Sequence, residues 1–444
     1  MSYWKLSVEG FGKIKKAEIE LAPMTLFVGD NNSGKSYLLS LAWAMHQLSD
    51  ELFQLQAVRE MQSRELDYMK TIFLEAFRQA EDGQTAVIYL EDILPQLQAV
   101  INQILQSAKD GLVKRLFNSD CVSIQKLCLQ MPEDLSGPVN ITLQSEPEIF
   151  YKVRMQGYKI RFHGKQTYER MTYVSIERII ENLFLDNSMR ESFIYMPAAR
   201  TGFMLAKDII NKYARKRAYD IELISEEQSE VQPFSRPILD FLDVMNDLSP
   251  EKGGRKAYSL VADFIRRQMV QGSVEISGLP GHELSYVPQG DSRKYPFRAT
   301  SAVVTELAPL LLLLSHKQNI AGIFYEEPEM CLHPALQKRM GQVLARMVNT
   351  GIRVTATTHC DIILQHINNM IRLNHRNKNP EDYGYDCSDL VKGEQVRVYQ
   401  LTNREDGTTE VTGLACGENG FAVPTFNEAL DEIMEDAIQI QSQE

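Results

Sequence analysis

The feature that most constrains this chain is a glycine-rich loop between an apolar segment and an amphipathic one. The apolar run at residues 26–28 leads directly into the loop residues Gly29, Asp30, Asn31, Asn32, Ser33, Gly34, Lys35 and Ser36. A strand, a Gly-x-x-x-x-Gly-Lys-Ser loop and a helix in this order are the sequence pattern of a phosphate-binding loop. The pattern therefore predicts an α/β fold with a nucleoside triphosphate site near the N-terminus.

The residue types of this loop suit the chemistry of phosphate binding. Gly29 and Gly34 allow the backbone to turn so tightly that successive N–H groups point at the phosphates. The helix that begins at Lys35 adds the positive end of its dipole. Lys35 would reach the β- and γ-phosphates, and the Ser36 hydroxyl would bind Mg²⁺. Tyr37 completes the segment expected to contact the nucleotide, so ATP and Mg²⁺ are the predicted cofactors, with GTP left open.

Composition narrows the class of protein further. The 444 residues are 44% hydrophobic and 24% charged, which predicts two or three domains or one domain with a large insertion. There is no apolar run of about eighteen residues and no apolar leader after Met1, so we expect neither a membrane span nor a signal peptide. Six scattered cysteines without a Cys-x-x-Cys pair favour a cytoplasmic protein with reduced thiols. The net charge of −12 argues against nucleic acid as the main ligand.

Hydrophobic periodicity predicts the elements around this loop. Strand pairs with period-two alternation are expected at residues 6–21 around Gly10, at 150–162, at 274–287 and at 396–411. Helical patterns occupy residues 51–80, 89–116 with Pro95 as a kink or start, 175–185, and 428–440 with Asn427 as the cap. A buried strand at 193–196 ends at Pro197, and residues 198–202 are predicted as a loop.

A second informative stretch is an apolar strand that ends in two acids. Residues 320–325 are followed by Glu326 and Glu327, the arrangement of a Walker B site. The first acid would orient Mg²⁺, and the second would polarise the attacking water. Another apolar strand, at 354–357, leads into Thr358 and His359. A lone histidine here would be assigned to the core, but after a phosphate loop and a Glu-Glu-Pro strand it predicts a side chain that contacts the γ-phosphate and holds the water.

Together, these motifs resemble a known family. The Gly-Asp-Asn-Asn-Ser-Gly-Lys-Ser loop, the Glu-Glu-Pro-Glu-x-x-Leu-His-Pro run and Thr-Thr-His are similar to the ATP-binding-cassette ATPases related to SMC and RecF, and among them to the overcoming-lysogenization-defect (OLD) group. That group includes ATPase subunits of bacterial phage-defence systems such as Septu and PARIS. The resemblance implies an ATPase head with a mixed sheet flanked by helices, built from residues 1–50 and 191–380. The helical and β patterns in the interval between these parts predict an inserted helical plus β lid at 51–190, and the last patterns predict a C-terminal hairpin and helix at 381–444.

The resemblance adds two site residues and a composite site. A Tyr-x-Pro-Ala-x-Arg loop implies that Arg200 faces the nucleotide, with a surface arginine beside a turn as the alternative. The helix after Ser301 resembles the signature helix, in which a serine contacts the γ-phosphate held by the opposite copy of the chain. Two departures from the family pattern are the missing paired glycines at Ser301 and a glutamate, Glu326, where most cassettes carry aspartate. The chain would then form a homo-oligomer through ATP-sandwich dimers.

Three functions compete at this point. The first is an ATP-driven switch that senses a phage protein or DNA and controls a separate nuclease or toxin, because no Toprim nuclease pattern follows His359. The second is a RecF- or SMC-like repair ATPase acting directly on DNA, for which the basic clusters at 212–217, 252–256 and 372–378 are candidates, with a solvated surface as the alternative for each cluster. The third, a P-loop kinase, leaves the Glu-Glu-Pro strand and His359 unexplained.

Overall fold

The structure of the protein is a computed structural model. It describes residues 3–48, 52, 63–81, 83–143, 147–153, 156–164, 166–185, 192–207, 209–210, 234–251, 253–277, 283–423, 435, 438 and 440. The predicted C-terminal helix and the basic cluster at 212–217 lie outside the described residues, apart from three single positions in the former.

The chain divides into two compact units. The first comprises Met1–Leu21, Ala44–Lys114 and Ser119–Glu191, and the second comprises Ala22–Trp43, Arg115–Asn118 and Ser192–Glu444. These boundaries follow spatial contact rather than chain order, so they differ from the four segments predicted from the sequence. The predicted segments stay a prediction.

The first unit contains helices and two groups of antiparallel strands. Its strands are β1 (Lys5–Phe11), β2 (Ile14–Glu20), β4 (Ala86–Tyr89), β5 (Lys126–Gln130), β6 (Pro138–Thr142), β7 (Glu148–Val153) and β8 (Gln156–Arg161). The strand β1 pairs with β2 and β5, while β4, β6, β7 and β8 form a separate sheet in that order. Its helices are α2 (Arg64–Glu81), most of α3 (Leu90–Phe117) and α4 (Tyr168–Leu185). This unit therefore mixes helices with antiparallel strands.

The second unit is a mixed α/β fold around a largely parallel sheet. Its strands are β3 (Met24–Gly29), β9 (Ser192–Met196), β13 (Ile320–Glu326), β14 (Arg353–Thr357), β15 (Val396–Asn403) and β16 (Thr409–Leu414). The order is β16-β15-β3-β14-β13-β9, and every pair is parallel except the β15–β16 hairpin. The strands β10 (Gly272–Ile276), β11 (Leu284–Pro288) and β12 (Tyr295–Pro296) form a small antiparallel sheet.

Helices supply the rest of the second unit. They are the first part of α1 (Lys35–Gln47), α5 (Arg236–Asn246), α6 (Lys256–Ile265), α7 (Ala302–His316), α8 (Pro334–Asn349) and α9 (Asp361–His375). A π-helical turn spans Arg266–Val270, and 3₁₀ turns span Phe297–Ala299, Pro380–Tyr383, Cys387–Asp389 and Gly393–Gln395. One apolar core joins side chains of β3, β13 and β14 to those of α5 through α9. Strands buried on both faces read as continuous apolar runs, which is why β3 and β13 were recognisable in the sequence.

Most predicted local elements are confirmed. The four strand pairs form hairpins, and α3 contains Pro95 near its start rather than beginning there. The loop predicted at 198–202 is wrong in its second half, because residues 200–207 are helical. Among the described residues, no helix is long and apolar enough to cross a membrane.

Candidate nucleotide-binding site

Three neighbouring parallel strands bring the predicted motifs to one edge of the sheet. The strand β3 ends at the glycine-rich loop, its neighbour β14 ends at Thr358 and His359, and the next strand, β13, ends at Glu326 and Glu327. The carboxyl ends of parallel strands are where open α/β sheets bind ligands. The loop, the histidine and the two acids, which are far apart in sequence, are therefore gathered at a single candidate site.

The glycine-rich loop adopts a backbone that only glycine accepts at its first position. Gly29 has φ of +121°, and a Cβ atom there would lie 2.1 Å from the carbonyl oxygen of Leu401. Gly34, with φ of +92°, and Asn32, with φ of +57°, also take positive values. Helix α1 begins at Lys35, directly after the loop. This is the nest of backbone N–H groups and helix N-terminus that binds anions.

Lys35 is buried within its own loop. Its ammonium donates to the carbonyl oxygens of Gly29 at 3.1 Å and Asp30 at 2.5 Å, and it lies 3.4 Å from the Ser33 hydroxyl. Burial lowers the pKa of Lys35 to about 8, against the opposing attraction of Glu327 and of Asp30. Among the residues that the structure describes, all oxygen atoms within hydrogen-bonding distance of this buried cation are neutral, so an anionic phosphate oxygen would bind favourably beside it.

Asp30 and Asn31 are braced by a residue that the sequence did not reveal. Asn403, at the end of β15, donates its backbone N–H to the Asp30 carboxylate at 2.8 Å and its side-chain amide to the Asn31 carbonyl at 3.0 Å. The Asp30 N–H in turn donates to the Leu401 carbonyl. The Ser33 hydroxyl donates to the Asp30 carbonyl at 2.7 Å. The carboxylate of Asp30 thus helps hold the loop in shape.

Ser36 and Tyr37 occupy the first turn of α1. Ser36 is exposed, so its hydroxyl is accessible to a ligand. Tyr37 is half-buried, with its ring centroid 4.7 Å from that of Phe117. The first turn of α1 therefore presents one accessible hydroxyl directly beside the loop.

Glu326 is oriented by two hydrogen bonds. One carboxylate oxygen accepts from the Tyr195 hydroxyl and the other from the Ala198 backbone N–H, each at 2.8 Å. Tyr195 is also 3.1 Å from the Ser40 hydroxyl. Burial, reinforced by the charge of Glu326, raises the pKa of Tyr195 well above its usual range, so the phenol remains a donor. Tyr195 belongs to a recognisable sequence motif, but that motif gave no sign of its role at this site.

Glu327 and His359 face each other. The His359 Nε2 lies 3.9 Å from a Glu327 carboxylate oxygen, and both side chains are about one-third exposed at 34%. The backbone of Glu327 has φ of +42°, and its N–H donates to the Thr357 carbonyl and hydroxyl. A non-glycine residue in this region is strained, and such strain is common at functional sites. Burial, together with the charge of Lys35, lowers the pKa of His359, so the imidazole is neutral at pH 7.

A third acid, Glu329, positions the histidine segment. One of its carboxylate oxygens accepts from the Thr358 hydroxyl at 2.9 Å and from the His359 backbone N–H at 2.7 Å. The other oxygen is buried and has no hydrogen-bond partner among the described residues. Burial raises the pKa of Glu329. In the sequence, the only indication that Glu329 has a role at the site was its position in the Glu-Glu-Pro-Glu run.

Arg200 requires a correction. Its side chain is 0% exposed, so it neither faces a nucleotide nor lies on the surface. The guanidinium donates to the carbonyl oxygens of Glu326 at 2.6 Å and Glu327 at 2.9 Å, and also to that of Pro197. It pairs with the buried carboxylate of Glu306 in α7 at 2.6 Å. Arg200 therefore holds the backbone at the end of β13 through hydrogen bonds from a buried position.

Ser301 stands at the start of α7, as the sequence predicts. It is the N-cap residue, it is exposed, and its side chain makes no capping hydrogen bond. The helix that follows is apolar and buried from Val304 to His316. The hydroxyl of Ser301 is thus left accessible at a helix N-terminus, as a contact to a second copy of the chain would require.

The residue types expected to hold the cation suit Mg²⁺. No group of three or more His, Cys, Asp or Glu side chains able to hold a metal ion is present in the described part of the chain. Ser36 and Glu326 supply two hard oxygen donors, and Mg²⁺ usually keeps several waters and binds through one or two carboxylates plus substrate phosphates. The donor set therefore fits Mg²⁺ that arrives with a nucleotide.

A phosphate-binding loop after β3 and two acids at the end of β13, with β14 between these two strands, define a P-loop ATPase of mixed α/β fold. The AAA ATPase domain family matches residues 1–228, just over half of the chain, and the chain belongs to that family. None of the curated proteins matches it.

Similar solved structures are SMC heads at low identity. One is the SmcHead bound to the C-winged helix domain of ScpA, with 12% identity and a TM-score of 0.35 over 93% of this chain and 98% of that one. Another is the SMC head domain from Thermotoga maritima, with 11% identity and a TM-score of 0.32 over 94% of this chain and 100% of that one.

Proposed function

We propose that the protein hydrolyses ATP with Mg²⁺ at the β3–β14–β13 edge, with Glu327 as the base. The observation that carries this proposal is the convergence of the glycine-rich loop, Glu326, Glu327 and His359 on adjacent parallel strand ends. Lys35 and the loop N–H groups bind the phosphates, and Ser36 and Glu326 hold the cation. Mg²⁺ supplies charge neutralisation for the phosphate oxygens when it is bound.

The proximity of Glu327 and His359 supports different roles for the two side chains at the γ-phosphate. A carboxylate beside a neutral imidazole can accept a proton from water while the imidazole donates a hydrogen bond. The hydrogen bonds to Glu329 fix the backbone that carries the imidazole. The role of His359 is therefore to position the γ-phosphate and the attacking water.

We further propose that the site is completed by Ser301 from a second copy. The accessible hydroxyl at the N-terminus of α7 supports this arrangement, since it makes no capping bond within its own chain. ATP would then hold two copies together, and hydrolysis would release them. Such a cycle is an ATP-driven switch.

The finer biological role follows from the resemblance of the motifs to the OLD group. On that basis the protein is the sensor or switch subunit of an anti-phage defence complex that controls a separate nuclease or toxin. A phage protein or DNA would be the trigger. The Glu-Glu-Pro-Glu-x-x-Leu-His-Pro run and the Thr-Thr-His segment support this reading.

The test is the Glu327→Gln variant, studied by mass photometry and by ATP turnover. We expect ATP to bind, turnover to fall about 100-fold or more because the base is lost, and dimers to accumulate with ATP and Mg²⁺. The control is Glu133→Gln, an exposed glutamate of the first unit with the same loss of charge. Unchanged turnover in Glu327→Gln would refute the assignment of the base. Affinity purification of the wild-type protein from its host tests the switch role, because a nuclease or toxin should then co-purify.

A second candidate is a RecF- or SMC-like ATPase that acts directly on DNA. The observation that favours it is the grouping of Arg372, Arg376 and Lys378, predicted as one basic cluster, around a single concave pocket. Salt-dependent DNA binding that stimulates turnover, with no associated effector, would favour this candidate over the switch.

A further inference from the structure

A second concave site lies on the second unit, with none of its lining residues shared with the phosphate loop. Its volume is about 340 Å³, and it is formed by α8, α9 and the segment that follows α9. Its lining includes Lys338, His366, Arg372, Arg376, Lys378 and Tyr385. Small-molecule sites occupy roughly 300–1,000 Å³. The pocket thus has room for one small ligand.

The charge of this pocket is opposite to that of the whole protein. Four of its lining residues are lysine or arginine and none is aspartate or glutamate, although the chain carries a net charge of −12. Among the described residues, none of these four cations forms an ion pair. A cleft lined by charges of one sign raises the local concentration of oppositely charged ligands, so this pocket favours an anionic ligand.

The two arginines are held in place while keeping free donors. Arg372 donates through Nε to the Asn419 carbonyl at 2.8 Å and also to the Asn369 side chain. Arg376 donates to the Asn419 side-chain oxygen at 3.2 Å. A guanidinium has five N–H groups, so each arginine retains donors beyond these contacts. Fixed, partly satisfied guanidinium groups match the oxygen geometry of phosphate.

Two tyrosines, Tyr383 and Tyr385, also line the pocket. The ammonium of Lys338 lies 5.0 Å from the centre of the buried Tyr385 ring, whose hydroxyl bonds to the His366 imidazole. Tyr383, at the same pocket, is 56% exposed. An exposed tyrosine ring beside cations offers a stacking surface for a nucleobase. The carboxylates Glu381 and Asp382 share the turn of Tyr383 but do not line the pocket.

We propose that this pocket binds the phosphate of a nucleotide through Lys338, Arg372, Arg376 and Lys378, with the base against Tyr383. The nucleotide is either a free mononucleotide or one residue of a single strand, because both present the same phosphate and ring. The proposal does not depend on ATP hydrolysis at the phosphate loop.

The experiment uses the full chain and two probes, AMP and a fluorescein-labelled pentathymidylate with a 5′-phosphate. Binding is measured by fluorescence anisotropy for the strand, and by its competition with AMP. The test variant is Arg376→Gln with Lys378→Gln, since both side chains are exposed and truncation of neither opens the core. We expect affinity to fall about tenfold for each charged contact removed, and binding to weaken with salt.

Two controls distinguish this pocket from the phosphate loop and from charged surface elsewhere. Lys15→Gln, an exposed lysine of the first unit, removes a charge far from the pocket in sequence and should leave probe binding unchanged. Lys35→Ala disables the phosphate loop and should also leave it unchanged, whereas the pocket variant should retain ATP turnover. Tyr383→Ala should weaken binding of the strand more than binding of inorganic phosphate.

The outcomes decide the proposal and the source of the ligand. Displacement by AMP at equal or lower concentration than the unlabelled strand indicates a free nucleotide, and preference for the strand indicates single-stranded nucleic acid. Probe binding that survives in the pocket variant, or that disappears in Lys35→Ala, would overturn the proposal. Equal displacement by polyglutamate would also overturn it, because the site would then select acidic polypeptide rather than phosphate.

Discussion

The phosphate loop and the acidic strand end belong to the same unit, yet they are held in different ways. The loop spans eight consecutive residues, and most of its bonds, such as those from Lys35 and Ser33, stay within it. The strand end at Glu326 and Glu327 is fixed by side chains from other segments, chiefly Arg200. The first motif is held largely by bonds between its own residues, whereas the second depends on side chains from distant segments.

This difference predicts different responses to mutation. Damage to the loop should change nucleotide affinity and leave the fold intact. Damage to the supports of the strand end should change stability and turnover together, because the same groups hold the core and the two acids of the proposed site.

The largest effect is expected for Arg200→Met. The variant removes the donor to the carbonyl groups of Glu326 and Glu327 and leaves the buried Glu306 unpaired. Breaking a buried ion pair costs about 3–5 kcal/mol, so we expect a loss of that size in the free energy of unfolding. Urea denaturation measures it.

The matched control for Arg200 is Arg170→Met, an exposed arginine of α4, which should be nearly neutral. A double variant with Glu306→Met should recover part of the loss, since it removes the stranded charge. If Arg200→Met were as stable as the wild type, the strand end would not depend on this clamp.

The next effect concerns Lys35 and the pH. The pKa of Lys35 is about 8 in the folded protein, against 10.5 for a lysine in water. Below pH 8 the lysine is therefore protonated in both the folded and the unfolded protein, and folding bears the full cost of burying its charge. Between these values the folded state has released the proton that the unfolded state still holds. Stability contributed by this group therefore rises with pH, by on the order of 3 kcal/mol in total.

The measurement is the difference in free energy of unfolding between the wild type and Lys35→Met from pH 7.5 to 10. Across this range the free energy of unfolding of the wild type should rise relative to that of the variant. The variant should lose ATP binding while staying folded. The same subtraction with Lys15→Met, an exposed residue of β2, is the matched control. A flat difference for Lys35 would contradict the cost of burial.

A smaller effect is expected for Glu329→Ala. The variant frees the Thr358 hydroxyl and the His359 backbone N–H, so the imidazole loses its fixed position near Glu327. We expect turnover to fall about tenfold, consistent with a proton-transfer or water-positioning role, while ATP affinity is retained. Steady-state turnover and ATP titration separate the two quantities.

The conservative variant distinguishes positioning from charge at this position. Glu329→Gln keeps an acceptor oxygen, so it should retain most of the turnover. Because burial raises the pKa of Glu329, the wild type should also lose stability relative to this variant as pH rises from about 4.5 through the raised value. Equal damage from the two substitutions would show that the charge, not the hydrogen bonds, is required.

The same comparison explains what the sequence could predict. The loop, the apolar strands and the hairpins are local patterns, and their bounds agree closely with the structure. The roles of Arg200 and Tyr195 depend on partners more than a hundred residues away, Glu306 and Glu326. Both sequence-based alternatives placed the guanidinium of Arg200 in an exposed position. No local sequence pattern indicates that a buried carboxylate on a distant helix would pair with it.

The smallest effect is expected where a distant residue braces the loop itself. Asn403 lies 372 residues from Asn31, and its amide donates to the Asn31 carbonyl. Asn403→Ala removes that neutral hydrogen bond to the loop, together with the side-chain oxygen that accepts from the Thr409 hydroxyl, so ATP affinity should fall by no more than about 1 kcal/mol. Asn403→Asp removes the same donor and places a negative charge beside Asp30, so it should weaken binding further. Calorimetric titration with ATP and Mg²⁺ gives both values. The order wild type, Ala, Asp would show that even the contiguous loop relies on the fold, whereas three equal affinities would mean that its sequence alone suffices.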